Sequence, residues 1–311
     1  MNTIEQTQEL GTVCAANESR FSASHFSEAL TAFSVGWKDP ENTEGLLNFI
    51  APAVQVGRRF EYKKSSNAEN FFTEADDIRA IGSTFKRIDF SGSSVYSKTL
   101  NKGLTIRVDH DDIAGNNWQE RYVHMLLQRL YRNELIRVIE ALDAHDVESN
   151  KVWNATSNPD ADLRDTLAAA ADETGIYPNR ILFGELAWFL RSDAYDSQST
   201  ARATRSSGLT TSELAQKLFV DDVRILKARY QASNTVKQRV LGNNLFLFYA
   251  QNEITKDEPS NIKRFITPTE DGNPFRVYVE ENGKYTDITV EHYSAIAITS
   301  PAGIRKLVVT A

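Results

Sequence analysis

Residues 118–142 read WQERYVHMLLQRLYRNELIRVIEAL. Trp118, Tyr122, Leu126 and Leu130 recur every four residues, and Leu127, Tyr131, Leu135, Val138, Ile139 and Leu142 widen the same stripe. At roughly 3.6 residues per turn this is one amphipathic helix of about seven turns. Asn117, with Glu120 three positions on, predicts a capping-box start: the Asn side chain accepts from the first-turn amides and the Glu reaches back. The chain before the helix reads as an arm and strands, and the chain after it reads as a compact α/β arrangement that finishes in strands. The helix is expected to be the beam on which two unlike halves hang.

The 311 residues suffice for one large or two modest domains. With 41% hydrophobic and 25% charged residues, the composition is that of a soluble globular chain. No apolar run approaches the roughly 18 residues of a membrane span. The polar N-terminus lacks a secretory core, so a cytosolic origin is expected. The lone Cys14 excludes an internal disulfide framework and a multi-cysteine zinc site. A net charge of −7 argues against a tight nucleic-acid binder, which needs clustered Lys and Arg to displace counterions. A mildly acidic surface is still compatible with enclosing nucleic acid without gripping it.

Upstream of the helix, residues 1 to about 35 have weak periodicity and read as an arm, with a short helix around 24–33. Val54, Val56, Phe60 and Tyr62 then alternate with Gln55, Gly57, Glu61 and Lys63, as in a strand. Residues 84–90 alternate again. Together, 54–90 predicts a two-stranded ribbon with a polar tip, which cannot bury a face by itself and needs a neighbouring surface. Leu104, Ile106 and Val108 mark a further strand leading to the long helix.

Downstream, 160–175 gives a helix with Leu163, Leu167, Ala170 and Ala171 on one side and Gly175 as its stop. Residues 181–184, ILFG, form a buried strand, and 185–192 a short helix bearing Leu186, Trp188, Phe189 and Leu190. Residues 192–208 are polar and read as a loop, and 211–219 as a helix. VRILKARY and LFLFYA are strands. PFRVYVE and KYTDITVEHY flank Asn282-Gly283, a hairpin signal because this dipeptide supplies the positive φ of a tight turn. SAIAIT and GIRKLVVT are expected to form a last pair around 300–302.

A catalytic site is hard to find in these residues. Asp109-His110-Asp111-Asp112 is the one run resembling a metal or acid/base cluster. Consecutive strand residues point to opposite faces, so an Asx turn explains the run better than a shared ion. The histidines are scattered, and no Walker A, G-x-S-x-G, H-E-x-x-H or G-x-G-x-x-G sequence is present. Asp76-Asp77 and Asp221-Asp222 lack the apolar surroundings that would raise one pKa for acid catalysis. Trp188 and Phe189 read as core aromatics before they read as a ligand cage.

The order of parts, together with four stretches, carries a resemblance. These are FIAPAVQV (49–56), GIYPNRILFGELAWFLRS (175–192), TSELAQKLFVDDVRILKARY (211–230) and YSAIAITSPAGIRKL (293–307). Arm, ribbon, strand, long helix, α/β insertion and closing strands in this order resemble the major capsid proteins of tailed phages, the Hong Kong 97-type fold. The likeness spans about residues 40–311. It implies an α+β fold with an N-terminal arm at 1–45 and a P-domain at 46–56 and 91–158, whose spine helix covers 117–145. It also implies an E-loop at 57–90, an A-domain at 159–290 that returns some strands to the P-domain, and closing P-domain strands at 291–311.

The function implied by the resemblance is that of a major head protein of a double-stranded DNA phage, without catalytic site, cofactor or metal. Such a protein self-assembles into hexamers and pentamers of an icosahedral shell, in the host cytoplasm, and resides in the virion. Portal and decoration proteins are its expected partners. The chain begins at Met1 with no fused scaffolding segment before the arm, so a separate scaffolding protein, or none, is expected. Arg58, Arg59, Lys63, Lys64, Phe71 and Phe72 on the ribbon, with Arg202 and Arg205, are the candidate assembly contacts. Lys63, Lys64, Lys98, Asn67 and Asn70 read as ordinary loop polarity, and inter-subunit cross-linking is not expected. The alternatives are an encapsulin-like nanocompartment shell and, further off, a cytosolic α/β enzyme using Asp109, His110 and Asp112.

Overall fold

The computed structural model describes residues 25–36, 42–64, 78, 84, 93–113, 115–144, 147–233, 235–252, 256, 260–269 and 272–311. In chain order the elements begin with α1 (Glu28–Gly36), α2 (Thr43–Ile50), β1 (Ala53–Gln55), β2 (Arg59–Lys64), β3 (Ser93–Lys98) and β4 (Leu100–Asp109). The long helix α3 (Trp118–Asp143) is followed by β5 (Val147–Val152), α4 (Pro159–Thr174), β6 (Arg180–Gly184), α5 (Glu185–Asp196), α6 (Ala201–Ser207) and α7 (Thr211–Leu218). The remainder is β7 (Asp222–Leu226), β8 (Arg229–Gln231), β9 (Lys237–Arg239), β10 (Asn244–Phe248), β11 (Ile262–Thr267), β12 (Phe275–Glu281), β13 (Tyr285–Ile298) and β14 (Arg305–Thr310).

Helix α3 forms where its stripe predicts. Val123, Leu126, Leu127, Leu130, Leu135, Val138 and Leu142 are buried in one core with Val277, Ile288 and Val290 of the strands beneath. Burying each such side chain contributes about 1.5–3 kcal/mol, so the packed face outweighs any terminal effect. The start of the helix differs from expectation. Asn117 makes no side-chain cap; its backbone (φ −110°, ψ 33°) is outside the extended region from which an Asn oxygen can reach the N2 and N3 amides. Its carbonyl simply accepts from the Arg121 amide at 3.3 Å. The cap expected here occurs instead at α7, where Thr210 and Glu213 form a reciprocal capping box.

Two five-stranded sheets organise the rest. In the first, β13 is a 14-residue strand. One edge pairs with β4 over residues 285–294, and the other pairs with β12 and then with β11, all antiparallel. Strand β1 closes this sheet, parallel to β11. The second sheet runs β5-β14-β10-β6-β7. Its inner strands β6 and β10 are apolar on both faces, which explains the unbroken run at 181–184. Ile181 and Phe183 face a core with α4, α5 and α7, whereas Leu182 joins the α3 core; Leu245 and Leu247 alternate with Phe246 and Phe248 in the same way. Gly184 lies where a Cβ would stand 2.1 Å from the Gly242 carbonyl oxygen, so the backbones meet only because no side chain is there.

Several expectations are corrected. SAIAIT and GIRKLVVT are not partners: the first is the end of β13 and the second is β14, in the other sheet. A short 3-10 turn at Pro301–Gly303 redirects the chain, held by the Asn261 side chain, which donates to the Ser300 carbonyl at 2.9 Å. The expected loop at 192–208 is mostly helix, since α5 runs on to Asp196 and Thr200 caps α6 through the Ala203 amide. VRILKARY splits into β7 and β8, and β8 pairs with β9 as a small separate hairpin. Phe189 is 52% exposed, while Trp188 packs edge-on against Phe183. The Asn282-Gly283 hairpin between β12 and β13, the Gly175 stop (φ 72°) and the buried β6 are as read.

The ribbon consists of β2 and β3, paired from Arg59↔Lys98 to Lys64↔Ser93. The return strand is therefore 93–98; the 84–90 segment lies outside the described residues apart from Thr84. The root of the ribbon finds its surface within the same chain. Phe60 and Tyr62 lie 4.5 and 5.2 Å, centroid to centroid, from the Phe265 ring of β11. Part of the expected arm also docks locally: the Ser27 amide bonds the Val277 carbonyl, and the Thr31 hydroxyl accepts from the Val277 amide.

Candidate functional site

The Asp109 run forms a turn. The Asp109 carboxylate accepts from the Asp111 amide at 3.1 Å, closing an Asx turn at the head of a 3-10 segment, and His110 Nε2 is 2.9 Å from the Thr286 hydroxyl. Among the described residues no three His, Cys, Asp or Glu side chains are placed to share a metal ion.

The candidate contact residues fall into two sets. Arg58 and Arg59 are exposed at the ribbon root, where the Arg58 guanidinium lies 4.6 Å from the centre of the Tyr293 ring. Lys63 and Lys64 continue along β2, half-buried, opposite Ser94 and Ser93. Phe71 and Phe72 lie outside the described residues. Arg202 and Arg205 belong to α6; Arg205 is exposed, and the side chain of Arg202 is outside the described residues. Ribbon and α6 carry different surfaces, and the two sets form no single site.

What the structure assembles most carefully are two buried charge clusters. Glu134, on the apolar face of α3, is 2% exposed. It accepts from Lys102 Nζ of β4 at 2.7 Å, from Arg137 at 2.7 Å and from the Ser294 hydroxyl of β13 at 2.9 Å. His292 Nε2 approaches the same carboxylate at 3.7 Å, too far for a hydrogen bond. Burial opposes ionisation of Glu134, but the donors and positive charge gathered on it outweigh burial and hold its pKa below the usual carboxylate range. Burial pushes the Lys102 pKa down, and Glu134 offsets part of that. Arg264 stands beside them, also depressed by burial.

The second cluster centres on Asp160 in the first turn of α4. Arg191 of α5, with no exposed surface, binds it through Nε at 2.7 Å and Nη2 at 3.1 Å, and Lys217 of α7 adds a contact at 2.6 Å. Arg191 also donates to the Ser206 carbonyl of α6, so the cluster links four helices. Burial again opposes the charge, and Arg191 and Lys217 overcome it and lower the Asp160 pKa. Tyr195, whose hydroxyl accepts from the Asp160 amide, is pushed up to about 12 by burial.

Neither cluster was singled out from the sequence. For Glu134 a signal existed: an acidic residue on the apolar stripe, four positions after Leu130 and four before Val138, is out of place unless paired. For Asp160 none existed, because an acid in a helical first turn is ordinary.

No family model matches the chain, and no curated protein matches it. Among solved structures, it superposes on a phage-related protein from Bordetella bronchiseptica RB50 with a TM-score of 0.67 at 18% identity, covering 91% of this chain and 96% of that one. The capsid of the cyanophage P-SCSP1u superposes with a TM-score of 0.50 at 8% identity, covering 85% and 88%. At such identities the likeness establishes the fold. The chain has the Hong Kong 97-type fold of phage capsid proteins, with the mixed helices and sheets that the resemblance implied.

Proposed function

We propose that this chain is the major capsid protein of a tailed double-stranded DNA phage, assembling into hexamers and pentamers of an icosahedral shell. The observation that carries the reading is a capsid-type fold from which a two-stranded ribbon extends, anchored at its root on Phe265 and bearing Arg58, Arg59, Lys63 and Lys64. A projecting two-stranded ribbon offers unpaired edges, a liability in a monomer and a means of reach in a shell. Identical subunits in rings use heterologous surfaces, and the ribbon and the α6 face supply two unlike ones. Many modest contacts of this kind hold a shell through multivalency. The role is structural, without catalysis. The genome would be enclosed without sequence-specific binding, in keeping with the net negative charge. A portal would act with it in the host cytoplasm, and the mature protein would reside in the virion.

The test is sizing chromatography of the purified chain, with negative-stain imaging of the void fraction. Capsomer rings or shells are expected. A monomer or dimer that persists across protein and salt concentrations overturns the reading. Particles from the native host that hold an enzyme in place of phage-length DNA would replace the phage head with an encapsulin-like compartment.

A further inference from the structure

Beside Glu134 lies a cavity of about 150 Å³, walled by α2, β1, α3, β11 and β13 and by Pro268, Gly272, Pro274 and Phe275. One water needs only about 10–15 Å³, so a small ion fits with room to spare. The polar groups of the cavity are unbalanced. Arg264 is 8% exposed; its Nη2 donates to the Asn48 side-chain oxygen at 2.8 Å, while its buried Nε–H has no partner among the described residues. His292 is 7% exposed, and neither ring nitrogen is hydrogen-bonded among the described residues. Glu134, the buried carboxylate among the residues lining the cavity, is already occupied by Lys102, Arg137 and Ser294. Two buried cations, Lys102 and Arg264, therefore stand around a single buried carboxylate, with Arg137 reaching it from the exposed side. The other carboxylate on the wall, Glu44, is exposed at the rim, where water screens it.

A buried donor left without a partner costs far more than a satisfied one, and a buried guanidinium without a contacting counter-charge costs most. Unmet donors and surplus positive charge call for an acceptor that carries negative charge. We propose that this cavity is an oxyanion site, in which Arg264 Nε–H and an imidazole N–H of His292 hold a phosphate-like or carboxylate group. Guanidinium groups suit such ligands because their planar donors match the geometry of paired oxygens. The oxyanion has two sources of identical chemistry, a free anion or an acidic side chain of a second copy. Because the walls come from α2, β1, α3 and β13, a bound anion joins the segment that leads into the ribbon to the long helix and the central strand.

Inorganic phosphate at constant ionic strength, followed by isothermal titration calorimetry, is the probe. Soluble full-length subunits should bind about one phosphate per chain, saturably, with sulfate competing and chloride not. Arg264→Gln should weaken binding at least tenfold and His292→Gln by a smaller factor, with circular dichroism unchanged. If Arg264→Gln does not fold, the competition on the unaltered chain decides alone. Binding that follows ionic strength without saturating, or that a folded Arg264→Gln variant retains, overturns the site. Binding by both subunits and particles identifies a free anion. Binding by subunits alone, with phosphate loosening the particles, identifies the neighbour's carboxylate. The subunit measurement stands whether or not shells form, so its failure is distinct from failure of the capsid reading.

Discussion

Glu134 and Asp160 are both buried carboxylates that hold two cations, yet they are built from different materials. The cations on Asp160 come from α5 and α7, with α6 bonded to Arg191 behind them, so the cluster is built from helices between residues 159 and 218. The partners of Glu134 come from β4, α3 and β13, so Lys102 and Ser294 are separated by 192 residues. The first cluster ties helices to one another over one sheet. The second ties the long helix to the other sheet, drawing on residues from 102 to 294. In solvent exposure they are alike, since each carboxylate pairs one buried cation with one exposed one: Arg191 has no exposed surface and Lys217 is 39% exposed, Lys102 is 13% and Arg137 42%. Loss of either carboxylate therefore strands one buried cation, Arg191 in the first cluster and Lys102 in the second, while the other cation can turn to water.

The sharpest way to break this comparison is to neutralise each acid. Glu134→Gln should cost about 3–5 kcal/mol, the usual penalty for leaving a buried charge without its partner, read from urea unfolding monitored by circular dichroism. Asp160→Asn should cost about 3–5 kcal/mol in the same assay, because it strands Arg191, which has no exposed surface, even though Lys217 rehydrates. A loss near about 1 kcal/mol at either site would mean that its buried cation finds another acceptor. Ser294→Ala removes one donor from the Glu134 carboxylate while leaving both cations, and about 1.5 kcal/mol is expected. Tyr195→Phe removes only neutral hydrogen bonds from the other cluster and should cost about 0.5–1.5 kcal/mol.

Acid sharpens the same contrast. Both carboxyls have folded-state pKa values below their unfolded ones. Their stabilisation is therefore present above the unfolded values, near 4, and is lost as pH falls from there through the lower folded values. The urea midpoint should decline below about pH 4, and each neutralised variant should show a shallower decline than the unaltered chain. A variant with an unchanged slope would remove its carboxyl from the account of acid sensitivity.

Much of the fold was legible because it is written at short range. The stripe of α3, the Asn282-Gly283 turn and the run of β6 each declare themselves within a dozen residues. The allocation of β14 to the second sheet did not, since either neighbour would satisfy its local pattern and the choice rests on the turn pinned by Asn261. Helix α6 was invisible for a related reason. Its seven residues, ARATRSS, carry no apolar stripe; Ala203 and Ser206 are buried, and the Ser206 carbonyl is held by Arg191. The candidate contacts on the ribbon could be named from sequence as basic residues on a strand. The charge clusters could not, because a pairing such as Lys102 with Glu134 has no local signature.

The junction between β3 and β4 has a mechanical meaning. Only Thr99 separates the two strands, and its hydroxyl is bonded to that of Thr267 on β11 at 2.8 Å. Beyond it, β4 runs beside β13 through ten consecutive pairs, from Leu100↔Ser294 to Asp109↔Tyr285. Tension on the ribbon along β3 therefore enters a strand whose bonds lie across the direction of pull. Those bonds share the load together instead of parting one at a time, as the rungs of an antiparallel ladder do under shear.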